Sequence, residues 1–348
     1  MTRQRAERRA KWTLLSLVIV LLGGHAFLSA GMMWFFPQMR DPEYGRKLLR
    51  LQARVAEHAD RPLVVVLGSS RISMGLRPGS IGDDPQSPLV FNASLIGSGP
   101  LMELMCLRRL LADGVKPSAV VVEVWAPFLF QEGSFREEIR IDVNRVRRDD
   151  IPLLSKYYLK PDELANKSLW AHIAPAFTHR FYFVSQVMPG WLPFNLRRDS
   201  SFSGMDQWGW LPGHGDDLTQ DRRDLSFSKT IEYYAAILAQ WRCGPDADKA
   251  LHELLTLLAD EQIPTTLLIM PESSKLRAMY SEQSLRESDA YLNGLATQYH
   301  LPLIDTRTWA DDARLPDGFH LTREGANEYT TRFHREVLPQ IKLREGNR

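Results

Sequence analysis

A serine attacks a carbonyl when a histidine takes its proton and a carboxylate holds that histidine in place. The chain carries those parts near its two ends. Ser69 and Ser70 follow the run Pro62-Leu63-Val64-Val65-Val66-Leu67-Gly68. Asp317 and His320 stand three residues apart in Asp317-Gly318-Phe319-His320, just ahead of Leu321-Thr322-Arg323-Glu324-Gly325-Ala326. That spacing lets the two side chains share one side of a turn. The carboxylate then fixes the imidazole tautomer and stabilises the imidazolium. The ordinary structural use of such residues is a turn or a helix cap. Their occurrence at opposite ends of an alternating strand and helix pattern favours the chemical reading.

Several elements must position these residues. Leu63–Leu67 is apolar and mostly β-branched, which marks a strand buried on both faces. Gly68 lets the chain leave that strand sharply. Leu89–Asn92 reads as a short strand, Leu101–Leu111 as a helix and Ala119–Val124 as another buried strand. Asp246–Gln262 is an amphipathic helix with Leu251, Leu254, Leu255 and Leu258 on one face. Thr265–Met270 is a strand, Glu282–His300 a helix and Leu303–Asp305 a short strand. Thr322 caps a final helix reaching about Leu338. Such alternation predicts an α/β fold with a mainly parallel sheet between helices. Open sheets of this kind hold their chemistry at the C-terminal ends of the strands, where Ser70 falls.

These blocks resemble the SGNH (GDSL-like) hydrolase and acyltransferase superfamily over residues of about 62–337. Gly68-Ser69-Ser70 is similar to the first block, with Ser70 as nucleophile and Ser69 where aspartate is usual. Asn92-Ala93-Ser94-Leu95-Ile96-Gly97 resembles the second, and Asp317 with His320 the last. The third block has no match; its expected place reads Val122-Glu123-Val124-Trp125-Ala126-Pro127. The resemblance implies an SGNH-like α/β fold and acyl chemistry in which Ser70 attacks, His320 is the base and Asp317 orients it. It assigns Asn92 and Gly97 to the oxyanion-binding block, with the N–H groups of Ser70 and Gly97 as oxyanion donors. The layout is most similar to membrane-anchored members acting on cell-envelope polymers, such as the alginate O-acetylation and teichoic acid D-alanylation proteins. That implies an esterase or O-acyltransferase acting on an envelope polysaccharide, with an acyl donor, beside a multi-spanning membrane acyltransferase. The alternative is a non-catalytic envelope protein of the same fold that binds glycan or a membrane partner.

Other residues carry two readings each. Arg71 contacts an acidic substrate or makes a structural ion pair. Glu272, with Ser273 past the fourth strand, lines a site or caps the next helix. Residues 128–227 interrupt the alternation as an insertion. Within it, Arg136–Asp150 is charge-dense and reads as a solvated helix. Trp191–Trp210 is rich in Trp, Pro, Gly and Phe, so Trp208 and Trp210 either stack on sugar or plug a loop onto the core.

The N-terminus places the chain at a membrane. Arg3, Arg5, Arg8, Arg9 and Lys11 face one acid, Glu7, in residues 1–11. Residues 12–36, about 25 in all, then carry no formal charge apart from His25. That is long enough to span a bilayer, with Trp12 and Trp34-Phe35-Phe36 as its two aromatic belts. The length, and Leu28 where a cleavage site keeps a small residue, favour a retained anchor over a cleaved leader. The positive-inside rule leaves residues 1–11 in the cytoplasm and the remainder outside it. Residues 37–61 read as a juxtamembrane stalk helix, 62–340 as the α/β domain and 341–348 as a tail.

A formal net charge of +1 excludes a general nucleic-acid binder. Metal-binding spacings are absent, and no cofactor is expected. His172, His179, His214 and His252 are scattered and read as surface or structural residues. Cys106 and Cys243 either pair outside the cytoplasm or remain as free thiols.

Overall fold

The computed structural model describes residues 3–34, 41–81, 84–130, 136–193, 202 and 204–344. In chain order the helices and strands begin with α1 (Arg3–Trp34), α2 (Pro42–Glu57), β1 (Leu63–Leu67), α3 (Ser70–Gly75) and β2 (Leu89–Asn92). Next come α4 (Pro100–Ala112), β3 (Ala119–Glu123), α5 (Ala126–Leu129), α6 (Glu137–Arg140) and α7 (Ile151–Leu154). They continue with α8 (Pro161–Ile173), α9 (Pro175–Thr178), α10 (Arg180–Val187), α11 (Gln220–Ala239) and α12 (Pro245–Asp260). The last are β4 (Thr265–Ile269), α13 (Ser274–Arg277), α14 (Glu282–Gln298), β5 (Leu303–Asp305) and α15 (Arg323–Glu336).

The chain divides into two compact units. One joins Met1–Gly45 to Asp142–Ser203, and the other joins Arg46–Ile141 to Gly204–Arg348. The second is the expected α/β fold. Among the described residues its sheet has five strands, all parallel, in the order β2-β1-β3-β4-β5. The first four strands are buried along their whole length, which is why their sequences run apolar without alternation. The chain steps from β1 to one neighbour, β2, and then back past β1 to β3. The resulting crevice between the C-terminal ends of β1 and β3 is a topological switch point. One side of the sheet is packed by Ile72, Leu76, Leu321, Ala326, Tyr329 and Phe333, so α3 and α15 share one core with the strands.

Two boundaries differ from the sequence reading. Only 142–203 of the expected insertion leaves the α/β unit; the flanks 128–141 and 204–227 fold with it. Leu129, Ile141, Trp210 and Leu211 are buried there, and that burial ties the flanks down. Arg136–Asp150 is not one solvated helix. It breaks into α6 and short 3-10 turns, with Glu137, Glu138 and Asp150 buried. Glu137 shows why: its carboxylate accepts the N–H groups of Gly99, Leu101 and Met102 at 2.7, 2.9 and 2.8 Å, capping the start of α4. The residues expected to form the stalk include α2, whose Leu51 is buried and whose Lys47 donates to the carbonyls of Asn92 and Gly209 at 3.1 and 2.8 Å. Residues 37–40 of that stretch lie outside the described residues.

In the other unit, α1 carries a stretch, Glu7–Gly31, long and apolar enough to cross a membrane. Phe35 and Phe36 of the expected belt, and residues 345–348 of the tail, lie outside the described residues. Cys106 and Cys243 are not joined in a disulfide, and the Cys106 thiol donates to the Ala93 carbonyl at 3.6 Å.

Candidate active site

Ser70 is the first residue of α3, directly past the end of β1. Gly68 is needed at that exit by close approach. A Cβ there would come within 2.7 Å of both Glu123 Oε2 and Ile72 Cγ1. The neighbouring Ser69 is the N-cap of α3, its Oγ accepting the Arg71 N–H at 3.2 Å. Its own N–H and O–H both donate to Glu123 Oε2, at 2.7 and 2.8 Å. Ser69 is therefore spent on structure, and Ser70 faces the histidine.

His320 arrives from the loop between β5 and α15. Asp317 Oδ1 accepts the N–H groups of Phe319 and His320 at 3.2 and 2.9 Å, which closes a tight Asx turn. Gly318 takes φ +98° inside that turn, a left-handed conformation that glycine adopts without strain. The Gly318 carbonyl accepts the Ser273 N–H at 2.8 Å, and the Asp317 carbonyl accepts the Thr230 O–H at 2.7 Å. Thr322 caps α15 as expected, its Oγ accepting the Gly325 N–H. The loop is thus pinned from two other elements, α11 and the start of α13, and the helix by its own cap.

Ser70 and His320, 250 positions apart, meet with Ser70 Oγ and His320 Nε2 at 2.7 Å. On the far side of the ring, Nδ1 lies 2.7 Å from Asp317 Oδ2. Asp317 is buried, which by itself raises its pKa. The His320 charge and the hydrogen bonds from His214 and His320 outweigh burial, so the carboxyl is held well below its usual range. An ionised Asp317 accepts from Nδ1–H, leaving Nε2 to accept the Ser70 proton.

His214 is the residue the sequence reading missed. It is not one of a scattered structural set: its Nε2–H donates to Asp317 Oδ2 at 3.0 Å. That hydrogen bond raises its pKa, against a smaller opposing effect of burial. Residue 214 also pairs with Thr322 as an isolated parallel bridge, which brings the 204–219 segment to the site. No spacing in the sequence links His214 to Asp317, so pattern alone offered no signal. His214, Asp317 and His320 present donor atoms within 4.8 Å of one another, a separation a metal ion could use. The same atoms serve one another as hydrogen-bond partners here.

Below the pair lies a buried charged floor. Arg71 is 1 % exposed, and its Nη2 donates to the carbonyls of Met270 and Pro271 at 2.8 and 3.0 Å. Its Nη1 lies 3.4 Å from Glu123 Oε1, and its guanidinium sits 4.5 Å from the Trp125 ring centroid. Glu272 Oε1 accepts from Trp125 Nε1–H at 2.7 Å and Tyr280 O–H at 3.2 Å. Arg71 is thus an ion-pair residue, and Glu272 belongs to the same buried network and does not line an open site. Glu123, where the third block would fall, joins this floor to Ser69. Its signal was a lone acid closing a buried apolar strand.

The remaining expectations sort by burial. Asn92 is fully buried; its Nδ2 donates to the Ile72 and Leu76 carbonyls at 2.8 and 2.7 Å, and its Oδ1 accepts from Ser94 Oγ at 2.5 Å. Both amide protons are consumed, so Asn92 braces α3 and offers no donor to a ligand. Gly97 takes φ +77° in the turn after β2. Leu95 N–H donates to the Gly68 carbonyl at 2.9 Å, which carries that turn alongside the end of β1. Trp210 is buried, donates to the Met74 carbonyl at 2.6 Å and lies under the Arg77 guanidinium. It is a core plug and not a sugar platform. Trp208 is half-buried against Gly79, His58 and Arg54. The helix α11, absent from the sequence reading, supports the site with Tyr234, whose ring meets Trp125 and Phe319 edge-on.

A cavity of about 1090 Å³ lies elsewhere, at the N-terminal ends of β1 and β3, lined by Leu51, Val55, Leu63, Val115, Ser118 and Leu343. It holds none of the residues that meet at Ser70. No family model and no curated protein matches the chain.

Proposed function

We propose that the chain is a membrane-anchored member of the SGNH superfamily that moves an acyl group through Ser70. The observation that carries this reading is the continuous set of contacts Ser70 Oγ, His320, Asp317, each step 2.7 Å, at the switch point of a parallel sheet. His320 Nε2 takes the Ser70 proton as Oγ bonds to the carbonyl carbon of an ester. The tetrahedral oxyanion is met by the N–H groups of Ser70 and Gly97. Ser70 N–H stands at the first helical position and has no partner within the helix. His320 then gives its proton to the leaving oxygen, and the acyl group stays on Ser70. Deacylation runs the same steps in reverse with an incoming hydroxyl. Water as that hydroxyl gives an esterase, and a sugar hydroxyl gives an O-acyltransferase. The serine supplies the nucleophile and the histidine the base, so the reaction as drawn needs no cofactor.

The basic residues Arg3, Arg5, Arg8, Arg9 and Lys11 at the start of α1 support an N-terminus in the cytoplasm and a catalytic unit outside it. That placement, with the family resemblance, favours transfer to an envelope polysaccharide beside a multi-spanning acyl exporter. The test is labelling of the full chain with a fluorophosphonate, followed by peptide mapping. The expected adduct is on Ser70, is lost in Ser70→Ala and falls sharply in His320→Ala. An adduct on Ser69, or none on the folded protein, overturns the reading and leaves the glycan- or partner-binding alternative.

A further inference from the structure

We propose that α8, α9, α10 and the turn after them form a platform embedded in the headgroup region of the bilayer that α1 crosses. These helices pack inside out. Toward their own unit they bury mostly small residues: Ser168, Ala171 and Ser185 are each 1 to 2 % exposed, with Leu164 and His179 the larger residues buried beside them. Outward they hold large apolar ones: Trp170 is 67 % exposed, Phe177 63 % and Trp191 76 %, with Ile173, Val187 and Met188 beside them. Water does not support a face of that kind on a stable fold. Small residues between helices and large apolar residues outside is the arrangement used when the surroundings are lipid.

The charge pattern and the anchor point to the same occupant. From Leu164 to Pro193 the sequence has no Asp or Glu, and its formal cations are Lys167 and Arg180. That suits a surface of lipid phosphates. Tryptophan is the residue most at home where tails meet headgroups. α9 packs against α1. The half-buried residues of α1 among those described over 7–31 are His25, Ser29, Ala30 and Gly31, all in the last stretch of its apolar span. At 1.5 Å per residue they cover about 9 Å of that end. An interfacial helix lies about 5–10 Å into the boundary, so the two depths coincide. The platform therefore continues the membrane contact of α1. It is a second attachment, which would hold this unit at a set height on the bilayer instead of on a freely turning tether.

The test uses the full chain in phosphatidylcholine and phosphatidylglycerol vesicles. Spin labels go at Trp170→Cys, Phe177→Cys and Trp191→Cys, in a background of Cys106→Ala and Cys243→Ser. Leu21→Cys in α1 and Glu287→Cys in the α/β unit serve as membrane and water references. The expected result is high collision with oxygen and low collision with a nickel chelate at all three platform positions, at shallower depth than Leu21. Nickel access equal to that at Glu287 puts the face in water and overturns the proposal. Exclusion of both probes means that protein covers the face, a second copy or another membrane protein, and also overturns it. An aqueous reading at Leu21 removes the anchor on which the proposal rests. None of these outcomes touches the Ser70 adduct. A cysteine-free check is quenching by brominated phospholipid, expected to be weaker in Trp170→Phe with Trp191→Phe than in the unaltered chain; equal quenching overturns the proposal.

Discussion

The rim of the sheet and the α8–α10 helices break the usual rule of burial in opposite directions. At the rim, Arg71, Glu123, Glu272 and Asp317 are all inside. In α8–α10 and the turn after them, Trp170, Phe177 and Trp191 are outside. A buried charge costs several kcal/mol unless paired and hydrogen-bonded. Here each residue has at least one hydrogen bond, while Arg71 Nε and Nη1, Glu123 Oε1 and Glu272 Oε2 are left with ion pairing alone or no partner among the described residues. The gain is rigidity under Ser70: one carboxylate, Glu123, holds the N-terminus of α3 through Ser69 and faces Arg71. An exposed aromatic face has no such internal compensation. Its stability has to come from what surrounds it. One region is thus finished by its own chain, and the other by its solvent.

Substitutions can break that contrast, the largest effect first. Ser70→Ala should lower acyl turnover by a factor on the order of 10⁴–10⁶, with His320→Ala adding little to it, because the pair acts as a unit. Its midpoint in urea should stay where it was. A measured turnover within tenfold of the parent would end the nucleophile assignment.

Glu123→Ala leaves buried Arg71 with only the more distant Glu272 carboxylate, 3.9 Å away, and should destabilise the fold by about 3 kcal/mol in equilibrium unfolding. Glu123→Gln keeps an acceptor for Ser69 and should cost less. An unchanged midpoint for Glu123→Ala would mean that the floor is not what holds the rim. Trp210→Ala should cost about 3–5 kcal/mol, as for a fully packed indole. Retained stability with lost glycan affinity would restore the platform reading of that residue.

His214→Gln tests the rim by pH. The Asp317 pKa is lowered, so its contribution to stability is present above the ordinary carboxyl pKa of about 3.9 and fades as pH falls below that. The His214 pKa is raised, so its contribution is present below about 6.5 and is lost as pH rises through its folded value. The gap in melting temperature between parent and His214→Gln should therefore be widest between about pH 4 and 6.5 and narrow as pH rises above that. A gap that does not vary with pH would make His214 a packing residue alone.

The smallest effect is expected at the other region. Trp170→Gln should change stability in detergent by less than about 0.5 kcal/mol, as for any exposed site. A loss comparable to that of Trp210→Ala would show that α8 is packed by protein.

Much of the fold was legible because it rests on local pattern. The strands β1, β3 and β4 are apolar runs that only a doubly covered parallel sheet explains, and the cap at Thr322 sits where its residue type requires. The candidate site was legible in the same way. Ser70 lies at a strand end, and Asp317 reaches His320 within one turn, so each half is encoded over a few residues. α11 was not legible, because it opens on the polar Gln220-Asp221-Arg222-Arg223-Asp224 and its apolar residues mark no single face: Tyr234, Ile237 and Leu238 are buried while Leu225, Ile231 and Tyr233 are exposed. The solvated helix expected over 136–150 failed because Glu137 is drawn inside by the free N–H groups of α4, a partner far away in sequence.

The amino-acid sequence by itself determined the class of fold, the apolar N-terminal span, and that the Ser69-Ser70 pair and His320 could act together, while the bonds of Ser69 to Glu123 and of Ser70 to His320 chose between the serines. Periodicity, turn chemistry and helix caps are all short-range, and the chain states them wherever it is read. Tertiary structure alone decided which carboxylates are spent on the rim, that Asn92 is a brace, that Trp210 is a plug while Trp170 faces outward, and that His214 stands on Asp317. Each of those depends on what a side chain meets after the chain has closed on itself. A residue type records that it can bond or can be buried, and only the folded neighbourhood supplies the partner.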